Sequence, residues 1–446
     1  MHRKGGSLFP NLARGIIGLL LLLAPWLFGS TEEWSQAVLL GLTALAVLLA
    51  LLAGARAWSW SWGGPMLALA AYIAIQAVNP SHRYMPADRS LAPLPHIAWL
   101  PHSADATTTW WTLVKFSAYA GLFWSVRAVF TERRHVWGLL TVLVASGFVM
   151  AVVGLSQRLS GTVLMLGLRK GGPFFFGPFV NRNNYAAYIN LLIPVALAIV
   201  HHRRHVAWEQ KAASHAGWLF GFMALVMVLS VAMSTSRAGT VVCAAVLLAW
   251  GAIEIGHIIR AGGETRRVLL IVTMAAVALM AALFYIGDKT LEERLHEFRG
   301  VPAELGFAGG RGAAYKATLD MFRDHWLYGV GAGAFAVTYP YYSIERADWF
   351  RRYAHSDWLQ YPSELGAIGA VLLGALLVAV LREQWKARHV GGSFDWMAAA
   401  LVIGMAGIGL HALVDFPVHI PGVVTLAVVL ASLLTIPAVR RHHEAH

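Results

Sequence analysis

Charge and cysteine are scarce in this sequence, and each shortage excludes something. Only 13% of the 446 residues are Asp, Glu, Lys or Arg, about half the ~25% of an average soluble domain. A soluble fold of this length cannot hide a chain that is 58% hydrophobic, so the sequence describes an integral membrane protein. The single cysteine, Cys243, lies inside an apolar run. It has no partner within the chain, which excludes a disulfide framework. Acids number 23 against 35 basic residues, and none has a second acid two positions away. No Asp-x-Asp or Glu-x-Asp pair therefore exists to hold a metal.

What the chain has in abundance is long apolar runs. Runs of about 17–25 residues are long enough to cross a bilayer as helices. Twelve are expected, near 12–29, 36–54, 64–79, 110–127, 136–156, 184–200, 216–234, 238–257, 268–286, 363–381, 396–413 and 421–438. The first follows Arg3, Lys4 and Arg14 like a signal peptide, but no A-x-A site follows it, and it is read as a retained span. The chain then divides into nine spans over 1–286, an extramembrane insert over 287–362, and three spans with a tail over 363–446. The expected class is an all-α polytopic membrane protein with a large, mostly helical insert between its ninth and tenth spans.

A net charge of +12 suits nucleic acid less well than it suits cytoplasmic loops enriched in Lys and Arg. With a cytoplasmic N-terminus, every segment assigned to the inside holds at least one basic residue, and the short outer loops near 29–36 and 413–421 hold none. The C-terminus is then cytoplasmic as well. The exceptions become informative. Lys115, Arg158, Arg169, Lys170, Arg182, Arg237 and the basic residues of the insert fall on the outer side.

Within the insert, "DKTLEERLHEF" spaces Leu291, Leu295 and Phe298 as an amphipathic surface helix. "GGRGAAYKATLDMFRDHW" reads as a second helix, and "YGVGAGAF" as a Gly-rich turn without the spacing or lysine of a nucleotide loop. Arg182 sits at the mouth of the sixth span, Arg237 in the tight turn of "STSRAG", and Arg311 at the start of the second insert helix. Arg351, Arg352 and His355 close the insert. Any one arginine at a helix end can simply snorkel toward headgroups. Several of them on one face, without acidic neighbours, are what gripping an anion requires, because guanidinium groups bond phosphate in pairs and stay charged. "HALVDFPVHIPG" adds His411, Asp415 and His419 at an outer turn; Pro417 ends any helix there, and a hydrogen-bonded pair is favoured over a metal site.

"TSRAG", "GGRGAAYKATLDMFRDHWLYGVGAGAF" and "YAHSDWLQYPSELGAIG", in that order and with this topology, resemble the O-antigen ligase and O-antigen polymerase superfamily, bacterial inner-membrane glycosyltransferases. The resemblance is close over about 180–370. It implies a periplasmic active site in the inner membrane and transfer of a glycan from undecaprenyl diphosphate to an acceptor hydroxyl. It further implies that Arg237 and Arg311 hold the donor diphosphate and that His355 acts in transfer. Arg182, in the Asn-rich stretch "VNRNNYAAY", carries over more weakly. One departure is that no proline precedes the Gly-rich turn in "DHWLYGVG".

The chemistry agrees with that implication. A diphosphate leaving group gains negative charge, which guanidinium groups can stabilise where no acidic motif holds a metal. A histidine can take the proton of the attacking hydroxyl, and single displacement would invert the anomeric carbon. No cofactor is expected. Arg352, Lys115, His411 and Asp415 are secondary candidates. The expected partners are the lipid-linked donor, a lipid A-core or glycan acceptor, and the bilayer, with no nucleic acid. Ligase, polymerase and protein glycosylation remain open, with ligase preferred. A transporter is the reading from another class, but transporters place ionisable groups near the midplane, whereas here charge crowds the outer rim.

The basic-residue asymmetry makes a direct prediction. Cysteines introduced at Ala303 and Ala347 should react with an impermeant thiol reagent added from the periplasm, and one at Ala212 should not. The reverse labelling pattern would place His355 in the cytoplasm and exclude this chemistry.

Overall fold

Backbone groups within a bilayer have no water to bond, so each apolar run must close its hydrogen bonds within itself as a helix. The computed structural model describes residues 8–54, 57–209, 215–260, 310–343, 352–388 and 395–436. Its first eight long helices are α1 (Leu8–Trp26), α2 (Glu33–Leu52), α3 (Trp60–Val78), α4 (Ala106–Val129), α5 (Arg133–Ser160), α6 (Arg182–Glu209), α7 (His215–Met233) and α8 (Arg237–Arg260). The insert contributes α9 (Gly310–Asp324) and the single turn α10 (Phe335–Thr338). Then come α11 (Asp357–Arg388), α12 (Trp396–His411) and α13 (Pro421–Leu434). Each expected span among the described residues has its helix. The ninth, 268–286, and the amphipathic segment 288–298 lie outside them.

The molecule is thus an all-α polytopic membrane protein. Among the described residues, α1, α2, α3, α5, α6, α8 and α11 are long and apolar enough to cross a membrane, and α7, α12 and α13 are apolar but shorter. Two small antiparallel hairpins interrupt the helices. One pairs β1 (His82–Met85) with β2 (Ser90–Pro93), and the other pairs β3 (Leu164–Met165) with β4 (Arg169–Lys170). Strands this short show no alternation that a sequence reading can use.

Helix α6 is the axis of the bundle. Of its most apolar 18-residue window 83% is buried, against 22–50% in the other six spanning helices. A helix that is apolar on every side belongs at the centre. Its polar residues bond to neighbours: the Tyr185 hydroxyl to Ser230 Oγ on α7 at 2.6 Å, and Asn190 Nδ2 to the Gly239 carbonyl on α8 at 2.9 Å. A Cβ on Gly239 would fall 2.3 Å from Ala186 Cβ. This glycine lets the starts of α6 and α8 approach, which brings Arg182 and Arg237 side by side.

Helix α11 begins at Asp357, six residues before the expected span at 363, and bends at Gly366, whose φ of 64° and ψ of −174° are open only to glycine. The bend lets the Gly-rich turn after α9 pack onto it. Val330 and Gly331 donate to the carbonyls of Ser363 and Glu364 at 3.0 and 2.9 Å, and Glu364 Oε2 accepts from the Gly333 N–H at 2.8 Å. That packing ties the insert to the membrane bundle. A Cβ at Gly366 would lie 2.4 Å from the Leu327 carbonyl oxygen, a backbone atom that cannot swing away.

Gly366→Ala should therefore lower the thermal unfolding temperature in detergent, with backbone strain alone worth ~1–3 kcal/mol. Gly374→Ala, further along α11 where an added Cβ meets nothing within 4 Å, should leave it unchanged or raise it.

Candidate functional site

The connection between α12 and α13 carries a carboxylate with no access to solvent. Helix α12 stops at His411 and Pro417 opens a 3-10 turn, Pro417–His419. This leaves Asp415 in the connection with 0% side-chain exposure. A buried charge persists only when it is paired and hydrogen-bonded. Asn183 Nδ2 donates to Asp415 Oδ2 at 2.5 Å, and the Phe416 N–H donates to Oδ1 at 2.9 Å. Arg311 Nη2 stands 3.9 Å from Oδ2, and His355 Nδ1 stands 3.8 Å from Oδ1. Burial works against ionisation of Asp415, but His355, His411 and Arg311 outweigh it and hold the carboxyl below its ordinary range.

His355 is held with unusual firmness. Its φ of 57° places a non-glycine residue in the left-handed region, a conformation that persists only where the surroundings impose it. Three contacts do so here. The Tyr315 hydroxyl on α9 donates to the His355 carbonyl at 3.0 Å. The Ala354 N–H donates to Gln360 Oε1 at 2.9 Å, and the Asp357 N–H donates to the Ala412 carbonyl at 2.9 Å. Phe416 meets the imidazole edge-on at 5.0 Å between centroids. The ring is 29% exposed. Among the described residues its buried Nδ1 has no hydrogen-bond partner, and Asp415 is in front of it. At 3.8 Å this is an approach rather than a hydrogen bond, as unliganded sites often show.

Three arginines stand at helix N-termini; Arg311 approaches Asp415, and Arg182 is next in sequence to Asn183, which bonds that carboxylate. Arg182 opens α6, Arg237 opens α8, and Arg311 is the second residue of α9. The Arg182 Nη1 donates to Thr235 Oγ1 at 2.7 Å, and its guanidinium faces the Phe174 ring at 5.4 Å. The charges of Arg158 and Arg237 both bear on it. Thr235 has a φ of 58°, and the Gly239 N–H bonds to Ser236 Oγ at 3.1 Å, which caps α8 directly before Arg237. Arg311 Nη1 donates to the Val414 carbonyl at 2.9 Å and is one-third exposed. Helix N-termini present unbonded N–H groups and a positive dipole end, so each terminus reinforces its arginine toward an anion. Burial raises the pKa of the Tyr315 hydroxyl, one turn along α9 from Arg311.

The secondary candidates divide. His411 and Asp415 are close enough for their charges to interact, yet neither ring nitrogen of the buried His411 bonds to anything among the described residues. The expected hydrogen-bonded pair exists with other partners: His419 Nδ1 meets Asp357 Oδ1 at 2.5 Å. Burial lowers the His419 pKa, but Asp357 overrides it and the net shift is upward. Lys115 was expected on the outer side; it lies inside α4, as its tenth residue, where its charge faces Glu364 and Arg352. Arg352 is exposed beside Tyr353, whose ring stacks on Phe416 at 4.4 Å. Arg351 lies outside the described residues. Among the described residues no three His, Cys, Asp or Glu side chains gather as metal ligands.

Sequence reasoning passed over Asn183, Tyr315 and Asp357. Asn183 lay inside the quoted "VNRNNYAAY", and its signal was an asparagine in the first turn of an otherwise apolar helix. Tyr315 and Asp357 gave none, since aromatic and acidic residues are ordinary in extramembrane segments.

Residues 222–374 match the protein family described as O-antigen ligase. The matched stretch runs from within α7 past the α11 bend and contains Arg237, Arg311, Arg352 and His355. Arg182, Asn183, His411 and Asp415 lie on either side of it. No curated protein matches the sequence.

The geometry around Asp415 predicts a graded response in glycan transfer, the activity implied by the motifs. Asp415→Asn keeps the shape but removes the anion facing His355. Transfer should fall about 10²–10⁴-fold, the span usual for lost general-base function, with protein abundance retained. Asn183→Ala removes one donor to that carboxylate and should cost less. Unchanged transfer by Asp415→Asn would separate the carboxylate from the chemistry.

Proposed function

We propose that this chain, which carries an O-antigen ligase segment at residues 222–374, transfers a glycan from undecaprenyl diphosphate to an acceptor hydroxyl at the outer face of the bacterial inner membrane. The observation that carries the reading is His355 at 3.8 Å from buried Asp415, with Arg311 at 3.9 Å from the same carboxylate and Asn183, the neighbour of Arg182, bonded to it. Arg237 and Arg311 hold the diphosphate, and Arg182, coupled to Arg237, extends the cationic wall.

In this reaction the acceptor oxygen attacks the anomeric carbon of the donor sugar as the bond from that carbon to the diphosphate oxygen breaks. The hydroxyl proton passes to the exposed nitrogen of His355, whose Nδ1 faces Asp415. As the imidazole becomes cationic, the approach to Asp415 tightens and stabilises it. The diphosphate leaves with an added negative charge, which guanidinium and helix N-terminal N–H groups neutralise without reorganising. A single displacement of this kind inverts the anomeric carbon. The cationic work falls to arginine, so transfer is metal-independent. We prefer a lipid A-core acceptor, which makes the enzyme a ligase; a second lipid-linked glycan as acceptor would make it a polymerase with the same donor site.

The test uses purified protein, a lipid-linked glycan donor and each acceptor in turn. Arg237→Lys and Arg311→Lys keep the charge but lose paired hydrogen bonds, so each should lower transfer strongly with protein abundance unchanged. His355→Gln should still bind donor and transfer at least ~10²-fold more slowly, and wild-type turnover should survive EDTA. Near-normal transfer by His355→Gln would reduce this histidine to a brace, and full activity in both lysine variants would remove the arginines from the site.

A further inference from the structure

The face of the bundle opposite His355 holds a cavity of about 290 Å³, lined by Arg134, Trp137 and Gly138 of α5 and by Ile199, His202 and Arg203 of α6. Helix α6 starts at the transfer site with Arg182 and reaches this cavity about twenty residues later. At ~1.5 Å per residue that is ~30 Å, the thickness of the hydrocarbon core. The cavity therefore lies at the other membrane surface, where headgroups are.

Its chemistry selects for an anion. The Arg203 guanidinium has no hydrogen-bond or ion-pair partner among the described residues. Arg134 pairs with Glu132 at 2.7 Å, but the two side chains are 76% and 49% exposed, and such a pair is weak enough for a better-placed anion to replace. Thr141 completes the lining, and no lining residue is acidic. Trp137 and His202 stack with centroids 4.3 Å apart and planes within 5°, which makes a rigid wall between the two arginines. Ile199 is buried and supplies an apolar floor. At Gly138 an added Cβ would meet nothing within 4 Å, so the cavity is open along that side of α5.

We propose that this cavity binds the phosphate of an anionic phospholipid headgroup at the membrane surface away from the transfer site. Two guanidinium groups suit a phosphate oxygen pair, and basic pockets between spanning helices recognise anionic headgroups in this manner. The volume lies at the low end of small-molecule sites, which begin near ~300 Å³. It therefore fits a headgroup, while the acyl chains stay in the bilayer beside α5.

The full chain, purified in mild detergent, is titrated with short-chain phosphatidylglycerol, with matched phosphatidylcholine and with inorganic phosphate. Bound lipid is counted by native mass spectrometry, and the unfolding temperature is followed in parallel. Phosphatidylglycerol should bind and raise the unfolding temperature, while the other two at equal concentration do neither. The double variant Arg134→Gln with Arg203→Gln should weaken that binding at least ~10-fold. Gly138→Leu keeps every charge but fills the cavity, and should weaken it comparably while its lipid-free unfolding temperature stays near wild type. Undiminished phosphatidylglycerol binding by Gly138→Leu overturns the site, as does equal binding of phosphatidylcholine. Equal stabilisation by inorganic phosphate overturns the lipid as its source.

Discussion

A carboxylate sealed from solvent must be answered from every side, and Asp415 draws the outer half of the molecule together for that reason. Asn183 reaches it from α6, Arg311 from α9, His355 from the start of α11 and His411 from the end of α12. These residues are separated by up to 232 positions in sequence. Removing one member of such a group leaves an uncompensated buried charge, which is far more costly than the net worth of the pairing. The same requirement aims His355: its left-handed backbone and its unbonded Nδ1 make sense once Asp415 is in front of it.

Arg182, Arg237 and Arg311 each stand in the first turn of a helix, and the glycine at 239 is what allows two of those turns to touch. The Gly-rich turn has a comparable role. Gly329, Gly331 and Gly333 all have positive φ and lie against backbone or polar side chains closer than any Cβ could approach. Glu364 and the bend at Gly366 then fasten this turn to α11. The missing proline before the turn is compatible with this construction, because the conformation is imposed by packing on α11.

Two of the described non-glycine residues at positive φ, Thr235 and His355, belong to the site, the first lying two residues before Arg237 and the second itself a proposed functional residue. The surroundings that enforce these conformations come from other helices, so the site and the bundle are stabilised jointly. A loosened α9 would release the Tyr315 bond to His355 and the Arg311 bond to Val414 at once.

Much of this was legible from sequence alone. Apolar runs located every described spanning helix, because a bilayer tolerates little else, although helix ends such as those of α6 and α11 run six to nine residues beyond the expected spans. Arg237, Arg311 and His355 stood out as basic groups on the side where the charge asymmetry leaves few expected, and the family resemblance implied their roles. The helix carrying His411 ends at that residue, six positions before the Pro417 that the sequence offered as its stop. Only tertiary structure decided the pairings. Asp415 faces His355 and Arg311, while His419 takes Asp357, since a turn can project neighbouring side chains in unrelated directions. Long-range pairing, close glycine contacts and the bend at Gly366 depend on which helix lies against which. That is set by packing of whole faces, and no local pattern in the chain encodes it.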